Sequence, residues 1–163
     1  QNLLAATDRG VVYKLNTEAD PLRALWGMSC RAEHVARVID GDDQLLASAR
    51  DEALSLWRAA GLPGDHIDQL QQTRLRVSNL ADGILALATD SEILVDNDAS
   101  GMGWGSSEGF DLASVIAHEY GHVLGLEHSD WESSEGLLAD SIGVGQTLSP
   151  APHHVKRLRG LTD

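Results

Sequence analysis

The chain has 163 residues, 42% of them hydrophobic and 23% charged, the proportions of an ordinary soluble globular protein. At roughly 150 residues per domain, that length predicts a single domain over 1–163, able to bury about two-thirds of its unfolded surface. With 12 Lys+Arg against 25 Asp+Glu, the net charge of −13 argues against nucleic acid and anionic membranes as partners; no apolar run nears the roughly 20 residues of a membrane span, no signal peptide is visible, and one cysteine excludes an internal disulfide or a multi-cysteine zinc site.

In chain order, residues 1–40 are the least patterned. Val11 to Leu15 reads as a strand and His34 to Ile39 as a second, with Pro21 and Gly27 breaking the stretch between them. The segment is either a partial prosegment or a first strand. Residues 43–60 read as a helix. Leu45, Leu46, Ala49, Ala53, Leu56, Trp57 and Ala60 form an apolar stripe at three- and four-residue steps. Asp42 or Asp43 can cap its start, and Gly61 followed by Pro63 stops it. Three short strands follow: Thr73 to Ser78, Ile84 to Thr89, and Glu92 to Asp96, the last two separated by Asp90-Ser91. Asn97 to Gly109 is a Gly/Ser-rich loop containing Trp104. A second helix, about 111–125, has Leu112, Val115, Ile116, Val123 and Leu124 as apolar positions. Glu132 to Ser149 reads as irregular, and a short helix from about Pro150 to Arg159 closes the chain. The elements together predict an α+β fold.

The chemistry lies in His118-Glu119-Tyr120-Gly121-His122-Val123-Leu124-Gly125-Leu126-Glu127-His128. Two histidines four apart share one helix face, one turn apart, and can grip one ion. Glu119 is not placed to be a ligand on that face, but it can reach a water on the metal. Gly125 can adopt a left-handed conformation, end the helix and turn the chain back, bringing His128 to the same ion. Three neutral imidazoles leave an open position on a tetrahedral zinc. A bare H-E-x-x-H recurs by chance; the longer pattern fixes five positions across eleven residues on a helix that ends at the glycine. His34, His66, His153 and His154 read as surface residues, and the adjacent pair His153-His154 does not share a helix face.

This pattern resembles the metzincin clan of zinc endopeptidases, and Ser129 after the third histidine resembles its matrixin branch. The likeness spans about 43–160 and is closest to matrixin-like domains of bacterial secreted proteins. Asp51 to Trp57 resembles the first helix of the catalytic domain. Gly83 to Ala88 resembles the edge strand that lines the cleft, and Ile93 to Asp98 the next strand with its acidic end. The resemblance implies a twisted mixed sheet with an upper edge strand, two long helices and a short C-terminal helix. It also implies hydrolysis of protein or peptide substrates by a zinc-activated water with Glu119 as general base, and secretion. His118, His122 and His128 would hold the metal. Leu85, Ala86 and the wall from about Leu138 to Gly145 would contact substrate, with an apolar pocket.

The chain departs from the pattern in two ways. The clan's methionine beneath the metal is missing: Met28 and Met102 both precede the motif, and Gly136-Leu137-Leu138-Ala139-Asp140 matches the turn by position, with Leu138 as its apolar floor. The histidines of a second zinc site are also missing. Asp96 and Asp98 are candidates for calcium. The rival reading is a catalytically weak or latent zinc-binding domain, a zymogen or an interaction module. Cys30 lies upstream, where a thiolate could fill the open zinc position. Its neighbours Arg31 and Glu33 do not reproduce the matrixin prosegment motif, so it reads as an idle or buried thiol.

Overall fold

The computed structural model describes residues 4–6, 12–14, 24–28, 38–89, 92–105, 109–128, 136–139 and 141–161. The fold is α+β. Strands β1 (Leu4–Ala6) and β2 (Val12–Lys14) pair antiparallel as a separate ribbon. The remaining strands are β3 (Ala24–Met28), β4 (Arg74–Ser78), β5 (Ile84–Ala88), β6 (Glu92–Asp96) and β7 (Ser141–Gly143). They form one mixed sheet in the order β4-β6-β5-β3-β7. β4 runs parallel to β6 in register from Arg74↔Glu92 to Ser78↔Asp96. β5 runs antiparallel to β6, through Ala86↔Val95, Leu87↔Leu94 and Ala88↔Ile93.

Helix α1 (Gln44–Ala59) forms where the apolar stripe predicts it. Asp43 caps it by accepting the Leu45 amide at 2.7 Å, and Gly61 ends it at φ +91°. The stripe buries Leu46, Ala49, Ala53 and Trp57 against helix α3 (Leu112–Val123). The Trp57 indole donates to the Ala117 carbonyl of α3 at 3.0 Å. This bond satisfies the polar end of a fully buried aromatic ring and fixes the height of one helix against the other. Helix α3 is buried from Leu112 to His122 and packs on β5. A helix apolar nearly all round is a central helix, so the metal motif lies in the core.

Several expectations are corrected. Helix α2 (Gly64–Gln72) was not among the expected elements; it buries only Ile67 and Leu70, too few apolar positions to register as a stripe. Gly27 does not break the chain but lies within β3. Part of the stretch read as irregular is β7. Strand β5, expected as the edge strand, ends the β4-β6-β5 portion, and β3 adds along its outer side through Ala24↔Leu87, Leu25↔Ala86 and Trp26↔Ile84. The proposed strand at His34 to Ile39 lies outside the described residues except at its end, where residues 38–40 are not extended in a sheet.

His154, expected at the surface, is only 2% exposed. It belongs to helix α4 (Pro152–Leu161), where its Nδ1 accepts the Ala151 amide at 2.8 Å and its ring lies 4.1 Å from that of His153. Burial, and then the His153 charge, lower its pKa to about 4. An unfolded histidine binds its proton near pH 6.5, so below that value the unfolded chain holds a proton the folded chain refuses. This part of the stability is fully present above pH 6.5 and is lost as pH falls toward 4. We expect a loss of about 1–3 kcal/mol across that window. Urea titrations at stepped pH should show that slope in the parent chain and a shallower one in His154→Asn, His118 supplying the remainder.

Candidate metal centre

The site is built from the C-terminal half of α3 outward. Asp111 caps the helix by accepting the Ser114 amide at 2.9 Å and the Ser114 hydroxyl at 2.6 Å, and that hydroxyl accepts the Leu148 amide at 2.7 Å. At the other end Gly125 takes φ +93°. The Gly125 amide donates to His122 at 2.9 Å and the Leu126 amide to Gly121 at 2.9 Å, the paired bonds of a Schellman turn. The reversal brings His128 back over the helix.

Three imidazoles meet there. The Nε2 atoms of His118 and His122 are 3.0 Å apart, those of His118 and His128 3.0 Å, and those of His122 and His128 3.1 Å. Among the described residues these three form the group whose donor atoms converge on one point. Backbone carbonyls set the orientation of two of the rings. His118 Nδ1 donates to the Leu137 carbonyl, and His122 Nδ1 donates to the Leu126 carbonyl at 2.7 Å. A carbonyl only accepts, so both rings carry their proton on Nδ1, and Nε2 presents a lone pair to the shared point. Burial, followed by the neighbouring His122, pushes the His118 pKa well below the usual histidine range, so the ring stays neutral. Convergent neutral imidazole donors suit zinc, whose bonds to imidazole nitrogen are about 2.0–2.1 Å.

Glu119 lies on the side of α3 facing β5. It is fully buried; neither carboxylate oxygen has a partner in full hydrogen-bonding geometry, although the Ala88 amide lies near enough to favour the charged form. Burial drives its pKa well above the ordinary carboxylate range, against the opposing pull of the Ala88 amide. Leu138 is buried beneath the helix at 2% exposure. A side chain at Gly121 would meet its Cδ2 at 3.0 Å and Trp57 Cζ2 at 3.7 Å, so Leu138 and α1 press on the helix between His118 and His122. The 136–139 turn is closed by the Ala139 amide donating to Gly136 at 3.1 Å. This one turn therefore supplies both the apolar floor and the carbonyl that steers His118.

Leu85 and Ala86 are fully buried in β5, between β6 and β3. The calcium expectation at Asp96 and Asp98 finds no support. Asp96 is buried, one oxygen accepting the Leu80 amide at 2.7 Å and the other the Ser100 amide at 2.8 Å, while Asp98 accepts the Gly101 amide at 2.9 Å. These carboxylates close the turn after β6. Ser129, Asp140 and Cys30 lie outside the described residues, and with Cys30 the thiol-switch expectation. The carbonyls of Leu126 and Leu137 and the Ala88 amide were not foreseen, because a backbone group leaves no mark in residue type.

The matrixin family profile, Peptidase_M10, matches residues 28–146, well over half of the chain. No curated protein and no solved structure matches it.

The geometry sets two stability expectations. Gly125→Ala meets no atom, so its cost is the left-handed backbone alone, about 1–2 kcal/mol. Leu138→Ala should cost about 2–5 kcal/mol through the cavity, and Leu138→Met under about 1.5 kcal/mol. Urea unfolding of the metal-free chain measures all three. A Leu138→Ala cost below that of Leu138→Met would rule out the packed floor.

Proposed function

We propose that this chain, which belongs to the matrixin family, is a zinc-dependent endopeptidase that hydrolyses peptide bonds in protein or peptide substrates. The observation carrying the reading is three imidazole nitrogens within 3.1 Å of one another beside a buried carboxyl with no partner in full hydrogen-bonding geometry. His118, His122 and His128 would hold the ion. Bound there, zinc supplies a Lewis acid that acidifies water and polarises the scissile carbonyl.

The chain's own residues do the rest. A Glu119 oxygen takes the proton from the attacking water and returns it to the leaving amine nitrogen. Its place on the ligand helix next to His118, buried away from competing solvent, suits both transfers. The Nδ1–H bonds to Leu137 and Leu126 keep the ligand rings from rotating as charge develops. An extended substrate would pair main chain to main chain with β5 near Leu85 and Ala86. The segment from Leu138 through β7 would bound an apolar side-chain pocket. We place the activity outside the cell, as the family resemblance suggests; among the described residues no helix is long and apolar enough to cross a membrane.

One observation favours a second reading, a latent form of the same domain: β3 lies along the side of β5 that a substrate would use. Zinc analysis beside a casein digest, with and without chelator, separates an active from an inactive zinc domain. Glu119→Ala should keep stoichiometric zinc and lose roughly 10²–10⁴-fold in rate. His118→Ala, His122→Ala and His128→Ala should each lose zinc and activity together. Undiminished turnover by Glu119→Ala would remove it from the chemistry.

A further inference from the structure

We infer that the cavity lined by one face of α1 and the start of β4 is a binding site for a free α-amino acid with an apolar side chain, separate from the metal centre. The cavity measures about 550 Å³, within the range of small-molecule sites.

Its lining follows from the helix. Leu46, Arg50 and Leu54 are spaced four apart along α1 and so share one face, which encloses the cavity together with Leu75 of β4. The leucines give it apolar walls. Arg50 stretches across to donate to the Gln71 carbonyl at the end of α2, which fixes its guanidinium at the wall. One such bond leaves most of the five N–H donors of that group for other acceptors. Asp51, the next residue, lines the same space and adds a carboxylate.

Tyr120 lies beneath. It is fully buried on α3, and its hydroxyl has no partner in full hydrogen-bonding geometry. The side chains that act on this hydroxyl are Arg50, near enough to favour its charged form, and Asp51, whose charge opposes it. The hydroxyl therefore faces the stretch of cavity wall that these two residues build. A buried hydroxyl in that state is costly, and an acceptor on a ligand would satisfy it. Tyr120 stands midway between His118 and His122 in the chain, so at about 100° per residue it leaves α3 on the side opposite those rings. The cavity and the metal centre thus occupy different sides of one helix.

The ligand class follows from the charges. A guanidinium and a carboxylate on successive residues, both acting on one hydroxyl, complement the two charged groups on a single α-carbon. The ligand carboxylate would accept from Arg50 and from Tyr120 Oη, and its ammonium would donate to Asp51. A plain anion is disfavoured, because Asp42 and Asp43 also line the cavity and leave it net negative. A plain cation meets Arg50. The apolar walls are left for the ligand side chain to cover.

The test titrates the full chain with L-leucine by calorimetry, zinc-loaded and metal-free in parallel. We expect saturable one-to-one binding in both forms. N-acetyl-leucine lacks the ammonium, leucinamide lacks the carboxylate and glycine lacks the apolar side chain. Each should bind about ten-fold or more weakly than leucine. Asp51→Asn and Tyr120→Phe should weaken leucine binding by a similar factor while zinc content stays at the parent level. Leucine binding that requires zinc and is unmoved by Asp51→Asn would put the ligand on the metal and overturn the inference. So would a failure to saturate at millimolar leucine, or leucinamide binding as well as leucine. If Tyr120→Phe does not fold, the exposed substitution Asp51→Asn and the three analogues on the parent chain decide the matter in the same way.

Discussion

Two backbone carbonyls hold the centre together. Neutral imidazoles brought within 3.1 Å with their lone pairs converging repel one another, and left alone the rings would turn away. The Leu137 carbonyl prevents this for His118 and the Leu126 carbonyl for His122. Each carbonyl is set by its own device. Leu126 is placed by the Schellman turn at Gly125, and Leu137 by the turn that also carries Leu138. A cation bound there relieves repulsion that the fold has already imposed, which is preorganisation in its simplest form.

The rest of the domain keeps that arrangement rigid. Helix α1 supplies Trp57, bonded to Ala117 and close to Gly121. At Gly121 helix propensity gives way to packing. Glycine in a helix interior costs about 0.5–1 kcal/mol relative to alanine, but any β-carbon would press on Leu138. The Asp111 cap ties the helix start through Ser114 to Leu148, ahead of α4. The ligand helix is thus held at its start, middle and end.

Much of this was legible in the sequence, because the long elements carry strong periodic signals. The stripe from Leu46 to Trp57 placed α1, and the His118 to His128 spacing placed both the convergence of the three imidazoles and the helix end at Gly125. Leu138 could be positioned as an apolar floor without a methionine because volume and apolarity are what that place requires. The illegible parts have physical reasons. α2 buries only two apolar side chains and has no stripe to read. β7 has three residues, too few to alternate. Gly27 reads as a breaker locally, but long-range pairing on both sides overrides that weak preference. His154 has the composition of a surface residue; its burial follows from how α4 packs. The carbonyls that orient the ligand rings belong to leucines whose side chains say nothing of the role.

The order of the sheet also bears on how the molecule behaves among its own copies. A strand edge with unpaired amides and carbonyls is a template for other chains, more so when long and apolar. The two outermost strands are poor templates. β4 carries the exposed cations Arg74 and Arg76, and β7 is three residues long. The most apolar strand, Ile-Leu-Ala-Leu-Ala, is enclosed between β6 and β3. Protection of this apolar strand therefore draws on the ladders of main-chain bonds on both of its sides. The pairing of β3 along β5 keeps neighbouring molecules from adding to the sheet at its most apolar strand.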